Sequence, residues 1–110
     1  LTDCDFCQPK DEERIDNIAG ACAACGLLDL ADVVGGEEAE EYRAAALRLL
    51  RALDTLCADW GEENMGILQK CTASYHNDGA GRHVNIIYGD YFFVEALCKL
   101  RGTDAKLWTA

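Results

Sequence analysis

The chain has 110 residues, half of them hydrophobic, which fits a single domain (1–110) with its own core. Twenty acidic residues against ten basic ones give a formal net charge of −10, so we expect neither nucleic acid nor an anionic membrane surface as a partner. A single proline and an abundance of Ala, Leu and Glu predict an all-α fold.

The first predicted helix follows an irregular segment, residues 1–11, and begins near Glu12 or Glu13. It runs through a stretch rich in small residues and ends at Gly35-Gly36, since glycine commonly terminates helices. Apolar residues at steps of three or four predict its packed face: Ile15, Ile18, Cys22, Cys25 and Leu28.

The second predicted helix runs from Glu37 to Trp60. Glutamates crowd its first turns, where they favour the positive end of the helix dipole. The same helical spacing predicts a buried stripe: Tyr42, Ala46, Leu49, Leu53, Leu56 and Trp60. The arginines lie outside this stripe, which is typical of a solvated face.

The rest of the chain predicts a weak helix at Glu62–Cys71, a long polar loop at Ser74–His83 and a final helix. Residues 84–88 are β-prone but fit an extended approach to that helix equally well. Asp90 is the expected N-cap of the final helix and Gly102 its end. Its expected apolar face consists of Phe92, Phe93, Ala96, Leu97 and Leu100.

Seven cysteines are an odd number, so a complete disulfide framework is impossible and a reducing compartment is the simpler interpretation. No run of apolar residues approaches the length of a membrane span, and no signal-type segment opens the chain. We therefore expect a cytoplasmic protein.

Two cysteine pairs, Cys4-x-x-Cys7 and Cys22-x-x-Cys25, allow a tetrahedral zinc site. The second pair falls within a predicted helix, whereas zinc-binding pairs are usually carried on tight turns. We therefore favour buried thiols that pack as small hydrophobic groups, with neither metal nor cofactor. A redox pair is favoured less, because no βαβ pattern surrounds these cysteines.

Candidate binding residues cluster in and after the long loop. Arg82, His83 and Asn85 can form a small cationic, hydrogen-bonding patch suited to a carboxylate or sulfate group. Asp16, at the start of the small-residue helix, is either a helix cap or a carboxylate that faces a cavity. No nucleophile elbow, phosphate loop or dinucleotide-binding pattern is present.

Two stretches together resemble the unsaturated glucuronyl hydrolases (glycoside hydrolase family 88). One is Asp5-Phe6 and Pro9 followed by residues 14–30, RIDNIAGACAACGLLDL. The other is YGDYF at residues 88–92 with Glu95-Ala96-Leu97. Their order and spacing also agree with the family, so the resemblance covers about residues 5–101.

The resemblance implies that the chain is the C-terminal part of an (α/α)6 barrel of six helical hairpins. The loop before the closing helix then lies near the mouth that holds the substrate. The family removes terminal unsaturated uronic acids from oligosaccharides left by polysaccharide lyases. An aspartate protonates C4 of the vinyl ether, water adds at C5, and the hemiketal collapses.

This segment differs from the family in several positions. The catalytic aspartates belong to earlier barrel helices, so we expect no catalytic residue here and no activity from the chain alone. Asn17 and Ile18 replace a Ser or Thr and a Ser, and the loop carries Arg82, His83 and Asn85 where some members have serines and a lysine. The expected substrate-binding residues are Asp16, Arg82, His83, Asn85 and Tyr88.

Three partners follow from this interpretation: an unsaturated uronic-acid oligosaccharide, the rest of the hydrolase chain, or a second copy of this segment. A partial ring exposes apolar surface, which is why self-association is expected without the remainder. The alternatives are a stand-alone helical interaction module and a small zinc-stabilised domain.

Overall fold

A computed structural model describes residues 1–76 and 78–103 of the chain. Three helices form its framework: α1 (Asn17–Val34), α2 (Gly36–Cys57) and α3 (Ile87–Arg101). The described residues outside them contribute isolated β-bridges and no strand. The predicted all-α fold is therefore confirmed. Asn77, inside the predicted long loop, lies outside the described residues.

Helix α1 begins at Asn17, later than the predicted start at Glu12 or Glu13. The residues before it are drawn into pairing with the N-terminus: the Cys4 amide donates to the Arg14 carbonyl, and the Asp16 amide donates to the Thr2 carbonyl, both at 2.9 Å. Asp16 then caps the helix. This confirms the first of the two interpretations of this residue, a helix cap.

Helix α1 is 18 residues long with a mean hydropathy of 1.5, long and apolar enough to cross a membrane by length and composition alone. The expectation that no segment would pass this test was wrong. A core helix passes it as well, and α1 packs against both α2 and α3. Seven of its residues are buried: Asn17, Gly20, Ala21, Ala24, Cys25, Leu28 and Ala31.

Helix α2 ends at Cys57, three residues before the predicted end at Trp60. Its buried residues are Ala39, Ala46, Leu50, Leu53 and Cys57. The predicted stripe was therefore right at Ala46 and Leu53 and wrong at Leu56 and Trp60, which are 65% and 57% exposed. The helix ends because Ala58 forms an antiparallel bridge with Leu68. The residues after Ala58 therefore no longer follow the helical spacing.

The predicted helix at Glu62–Cys71 does not form. The backbone there bonds to other segments: Asp59 N donates to the Ile67 carbonyl at 2.7 Å, and Gln69 N donates to the Cys57 carbonyl at 2.9 Å. Cys71 continues this pairing with Val84. Residues 84–86 are thus an extended approach to α3, one of the two predicted alternatives.

Helix α3 begins at Ile87, so the prediction that Asp90 is its N-cap was wrong. Ile86 occupies the cap position without a side-chain hydrogen bond, while Asp90 lies in the first turn. Gly102 ends the helix in a left-handed conformation, as predicted. Of the predicted apolar face, Phe93 and Ala96 are fully buried.

The core lies where α1 meets α2 and α3, and segment 66–72 closes one end of it. Leu53, Leu68, Cys71 and Phe93 are almost completely buried there. Gly89 lets the first turn of α3 reach this end, because a Cβ at position 89 would stand 2.5 Å from the Cys71 Sγ. The core therefore depends on contacts between distant parts of the chain.

Substituting Leu53 tests this assignment of the α2 face. Leu53→Ala leaves a cavity in a close-packed core, and we expect it to lower the free energy of unfolding by about 2–5 kcal/mol. Leu56→Ala is the matched control on the same helix, with an expected change within about 0.5 kcal/mol. Urea unfolding followed by circular dichroism measures both. Equal losses would show that α2 packs with the stripe that the sequence predicted.

Candidate functional site

A depression of about 540 Å³ lies beside the N-terminal segment, and we call it the Tyr75 depression. It is lined by Thr2, Asp3, Cys4, Asp5, Phe6, Ala19 and Tyr75. A second depression of about 280 Å³ shares Asp5 and Tyr75 with it and continues past Gln8, Arg14 and His76. Together they form a concave surface that is lined by aromatic, carboxylate and amide side chains.

Backbone pairing holds the N-terminal wall of the Tyr75 depression. An antiparallel bridge joins Asp3 to Ile15. Gln8, only 7% exposed, fills the loop between these two segments: its amide nitrogen donates to the Arg14 carbonyl at 2.9 Å, and its side-chain oxygen accepts from Asp5 N at 3.1 Å. A buried amide with both ends hydrogen-bonded fixes the loop.

Segment 66–72 lies between α1 and α3 and is held by two aspartates. The Asp16 Oδ1 accepts from Ile18 N and from Thr72 N, each at 3.0 Å. The Asp90 Oδ1 accepts from two successive amides of the segment, those of residues 67 and 68, at 2.9 and 2.7 Å. Both carboxylates therefore position backbone that leads directly to Tyr75.

Tyr75 is 43% exposed and presents its ring to solvent at the edge of the depression. The Arg82 guanidinium carbon lies 5.9 Å from the ring centroid, a cation–π distance that supports the ring. Gly81, at φ 75°, allows the loop to turn back closely onto Ser74, because a side chain at position 81 would collide with the Ser74 hydroxyl.

The charges around the site are paired. Glu12 bridges Arg14 and Arg82 at 2.7 and 3.0 Å, and these cations hold the pKa of the Glu12 carboxyl below its usual range, the Arg82 hydrogen bond first. Hydrogen bonds from Arg14 and from Lys70 lower the pKa values of Asp11 and Glu13 in the same way. These carboxylates are therefore held ionised in ion pairs that join the segments around the site.

The arrangement suits binding rather than bond cleavage. Phe6, 82% exposed, and Tyr75 offer aromatic faces to a ligand. Asp3 and Asp5 each keep one carboxylate oxygen as an acceptor, since the Asp3 Oδ2 is paired with Lys10 and the Asp5 Oδ1 accepts from Cys7 N. Aromatic faces beside carboxylates are suited to a sugar, whose ring has apolar faces and a rim of hydroxyls.

The five sequence-predicted binding residues do not form one cluster, and none of them lines the Tyr75 depression. Asp16 caps α1, Arg82 supports Tyr75, and the His83 Nε2 accepts from Ile15 N at 3.2 Å. Asn85 is exposed beside Gly66. Substrate contact by these residues stays a prediction.

Tyr88, the fifth, lies elsewhere. It is 64% exposed and lines an apolar groove of about 430 Å³ with Ile87, Tyr91 and Phe92. This groove shares no lining residue with the Tyr75 depression.

Sequence reasoning missed Phe6 and Tyr75 as candidate ligand contacts. Both belong to stretches that were singled out: Phe6 to the irregular first segment, and Tyr75 to the polar loop. The available signal was an aromatic residue in a loop, since such a side chain is exposed unless the fold covers it. Only the folded chain brings them to one depression.

The four cysteines of the zinc alternative are not brought together. The Cys25 thiol donates to the Phe92 carbonyl at 3.1 Å, and the Cys4 thiol donates to the Thr72 hydroxyl at 3.5 Å. Across residues 1–76 and 78–103, no three Cys, His, Asp or Glu side chains are grouped closely enough to hold a metal ion. All seven cysteines are free thiols.

Comparison with solved structures finds two matches with 31% sequence identity. One is UGL with dGlcA-Glc-Rha-Glc, at a TM-score of 0.81. The other, at 0.80, is the unsaturated glucuronyl hydrolase from Bacillus sp. GL1, described as responsible for the degradation of glycosaminoglycan. Each match covers 94% of this chain and 28% of the other. No protein-family model and no curated protein matches the chain.

The resemblance to unsaturated glucuronyl hydrolases is therefore confirmed in fold and in sequence, over a segment that spans about a quarter of the length of these enzymes. The three helices correspond to part of their (α/α)6 barrel.

Replacing Asp16 tests its role as an anchor. Asp16→Ala removes the acceptor of two backbone amides, and we expect a loss of about 2 kcal/mol in the free energy of unfolding. Asp32→Ala, in the last turn of the same helix, removes only an exposed ion pair to Arg43 and should change stability by less than about 0.5 kcal/mol. Similar losses in the two variants would argue against a special role for Asp16.

Thiol labelling tests the burial of the cysteines. Burial raises the pKa of Cys25 to about 12 and that of Cys71 to about 11, so at pH 8 roughly one molecule in 10³ or fewer carries either thiolate. We expect iodoacetamide to modify exposed Cys7 in the native chain, and Cys25 and Cys71 only after unfolding, as measured by peptide mass spectrometry. Early labelling of Cys25 would contradict the packing of α1 against α3.

The same shifts predict how stability depends on pH. The folded chain keeps these protons above the ordinary thiol pKa of 9.0, whereas the unfolded chain loses them. The free energy of unfolding should therefore fall as the pH rises from about 9 towards 12. Urea titrations at successive pH values measure this trend.

Proposed function

We propose that this chain is the C-terminal part of a glycoside hydrolase that removes terminal unsaturated uronic acids from oligosaccharides. The single observation that carries the proposal is the match of 94% of the chain to unsaturated glucuronyl hydrolases at a TM-score of 0.81. In this proposal, α1, α2 and α3 are three consecutive helices of the (α/α)6 barrel. The remainder of that barrel is the principal partner of the segment.

The proposed reaction is hydration of the C4=C5 vinyl ether of the substrate. A carboxylic acid protonates C4 and water adds at C5, which gives a hemiketal that opens and releases the next sugar. The described carboxyl groups with clearly shifted pKa values, Asp11, Glu12 and Glu13, are all lowered by cations. In this proposal the catalytic acid belongs to an earlier helix of the barrel, so the segment alone is inactive.

The contribution of this segment is then to substrate binding. The Tyr75 depression offers two exposed aromatic rings and two carboxylates to an oligosaccharide. One of the two matched structures contains dGlcA-Glc-Rha-Glc, which supports an oligosaccharide as the ligand. Seven free thiols are compatible with the reducing cytoplasm as its location.

The exposed apolar residues support a larger assembly. Val33 on α1 is 83% exposed and Ile87 on α3 is 72% exposed. In a barrel these positions can lie against neighbouring helices, whereas an isolated segment would cover them by self-association.

Mass and turnover together test the proposal. Native and denatured mass spectrometry of the natural protein should reveal a polypeptide or complex much larger than the 12.0 kDa segment. It should consume an unsaturated disaccharide, with loss of the ultraviolet absorbance of the C4=C5 bond. A 12.0 kDa species without turnover would exclude a working hydrolase.

Within that protein, Tyr75→Ala should raise KM about tenfold with a smaller effect on kcat, because it removes a binding surface and no reacting group. Tyr42→Ala is the control, since Tyr42 lies on α2 and donates to Glu38 at 2.7 Å. Tyr88→Ala tests the sequence-based expectation for the separate apolar groove. A Tyr75→Ala enzyme with unchanged KM would place the substrate elsewhere.

A further inference from the structure

His83 makes a contact that only one of its protonation states allows. Its Nε2 accepts a hydrogen bond from Ile15 N at 3.2 Å, across 68 positions of sequence. An imidazole nitrogen can accept only in the neutral ring, with the proton on Nδ1. The His83 backbone is held at φ 54°, in the left-handed region that is costly for a residue other than glycine.

The Ile15 amide has few alternatives to this acceptor. Ile15 is 5% exposed, and its carbonyl accepts from the Thr72 hydroxyl at 2.8 Å. An N–H group buried at this depth without an acceptor destabilises the fold, so the imidazole is part of the local structure.

The contact leads directly to the Tyr75 depression. Ile15 forms the antiparallel bridge with Asp3, and hydrogen bonds from Cys4 N to the Arg14 carbonyl and from Asp16 N to the Thr2 carbonyl flank it. Residues 2–4, on one side of this backbone pairing, form the wall of the depression. His83 therefore holds the strand-like stretch that supports the wall.

Charged groups of both signs surround the ring. Glu13, on the N-terminal segment, faces it: the Lys70 hydrogen bond lowers the pKa of Glu13 most, and a protonated His83 lowers it to a smaller degree. Glu13 favours the protonated ring, whereas Lys70, on segment 66–72, opposes it. Arg82, next to His83 in sequence, also opposes protonation, but both cations are paired, Lys70 with Glu13 and Arg82 with Glu12.

Protonation changes what the ring can offer. The imidazolium carries N–H groups on both nitrogens, so its Nε2 becomes a second donor opposite the Ile15 amide. Two donors that face each other cannot keep the contact, and either the loop at 83 or the segment at 15 must move.

We propose that His83 is a pH-sensitive positioning residue, whose neutral imidazole holds the wall of the Tyr75 depression and whose protonation releases it. The consequence for ligand binding rests on the proposed function, because only that proposal assigns the depression to an oligosaccharide. The release of the wall itself depends only on the contact between His83 and Ile15.

Nuclear magnetic resonance of the intact chain tests the contact. Long-range ¹H–¹⁵N spectra at about pH 7.5 should show the His83 proton on Nδ1. Lowering the pH to about 5 should reduce the protection factor of the Ile15 amide, corrected for intrinsic exchange, by about tenfold. A proton on Nε2 in the neutral ring, or a constant Ile15 protection factor, would overturn the proposal, and both are measured without any substitution.

Two variants separate His83 from general acid destabilisation. His83→Gln keeps a side-chain acceptor that does not titrate, so Ile15 protection should lose its pH dependence. His76→Gln removes the other histidine, which is exposed, and should retain the wild-type pH dependence. A pH dependence that persists in His83→Gln would assign the release to another group and overturn the proposal.

Kinetics extend the test to the proposed function. In the natural protein, KM for an unsaturated disaccharide should rise over the same acidification, from about pH 7.5 to about pH 5, and the rise should be absent in His83→Gln. If the protein has no hydrolase activity but Ile15 protection depends on His83, the proposed function fails and the positioning role stands. If activity is present and Ile15 protection is constant, the positioning role fails and the proposed function stands.

Discussion

Two carboxylates, Asp16 and Asp90, hold the irregular half of this protein against its helices. Each accepts two backbone amides: Asp16 joins the start of α1 to Thr72, and Asp90 joins the first turn of α3 to residues 67 and 68. Hydrogen bonds to an ionised acceptor are stronger than neutral ones, so a segment without regular secondary structure acquires a defined path. Tyr75 lies three positions beyond the end of this segment, so the two aspartates fix the backbone from which Tyr75 extends to the depression.

The helical framework is apolar on more than one side. Helix α1 packs against α2 and α3, yet Leu30 and Val33 on the same helix remain exposed, as does Ile87 on α3. A helix that is apolar around most of its surface usually belongs to the interior of a larger fold. The chain spans 28% of the matched hydrolases, and the proposed barrel would place further helices against these faces.

The electrostatic pattern separates binding from catalysis. The chain is strongly acidic overall, but beside the Tyr75 depression Glu12 is paired with two cations, Arg14 and Arg82. Such pairing keeps carboxylates ionised and fixes the loops that carry them, whereas a catalytic acid needs desolvation or a neighbouring anion. The ion pairs beside the Tyr75 depression therefore serve to hold its loops in place.

The sequence by itself determined the helical framework and the resemblance to one hydrolase family. Helical spacing of apolar residues and terminal glycines are local signals, so α1, most of α2 and the end of α3 at Gly102 could be predicted. The predicted helix at Glu62–Cys71 failed because its amides bond to residues distant in sequence, which no local pattern records.

The candidate site was decided by the tertiary structure. Asp90 is a plausible helix cap by its position in sequence, but the folded chain directs its carboxylate to segment 66–72. Phe6 and Tyr75 are 69 positions apart and meet at one depression only because residues 2–4 pair with residues 14–16. Long-range backbone hydrogen bonds form only after the chain has collapsed, and they determine which side chains share a surface.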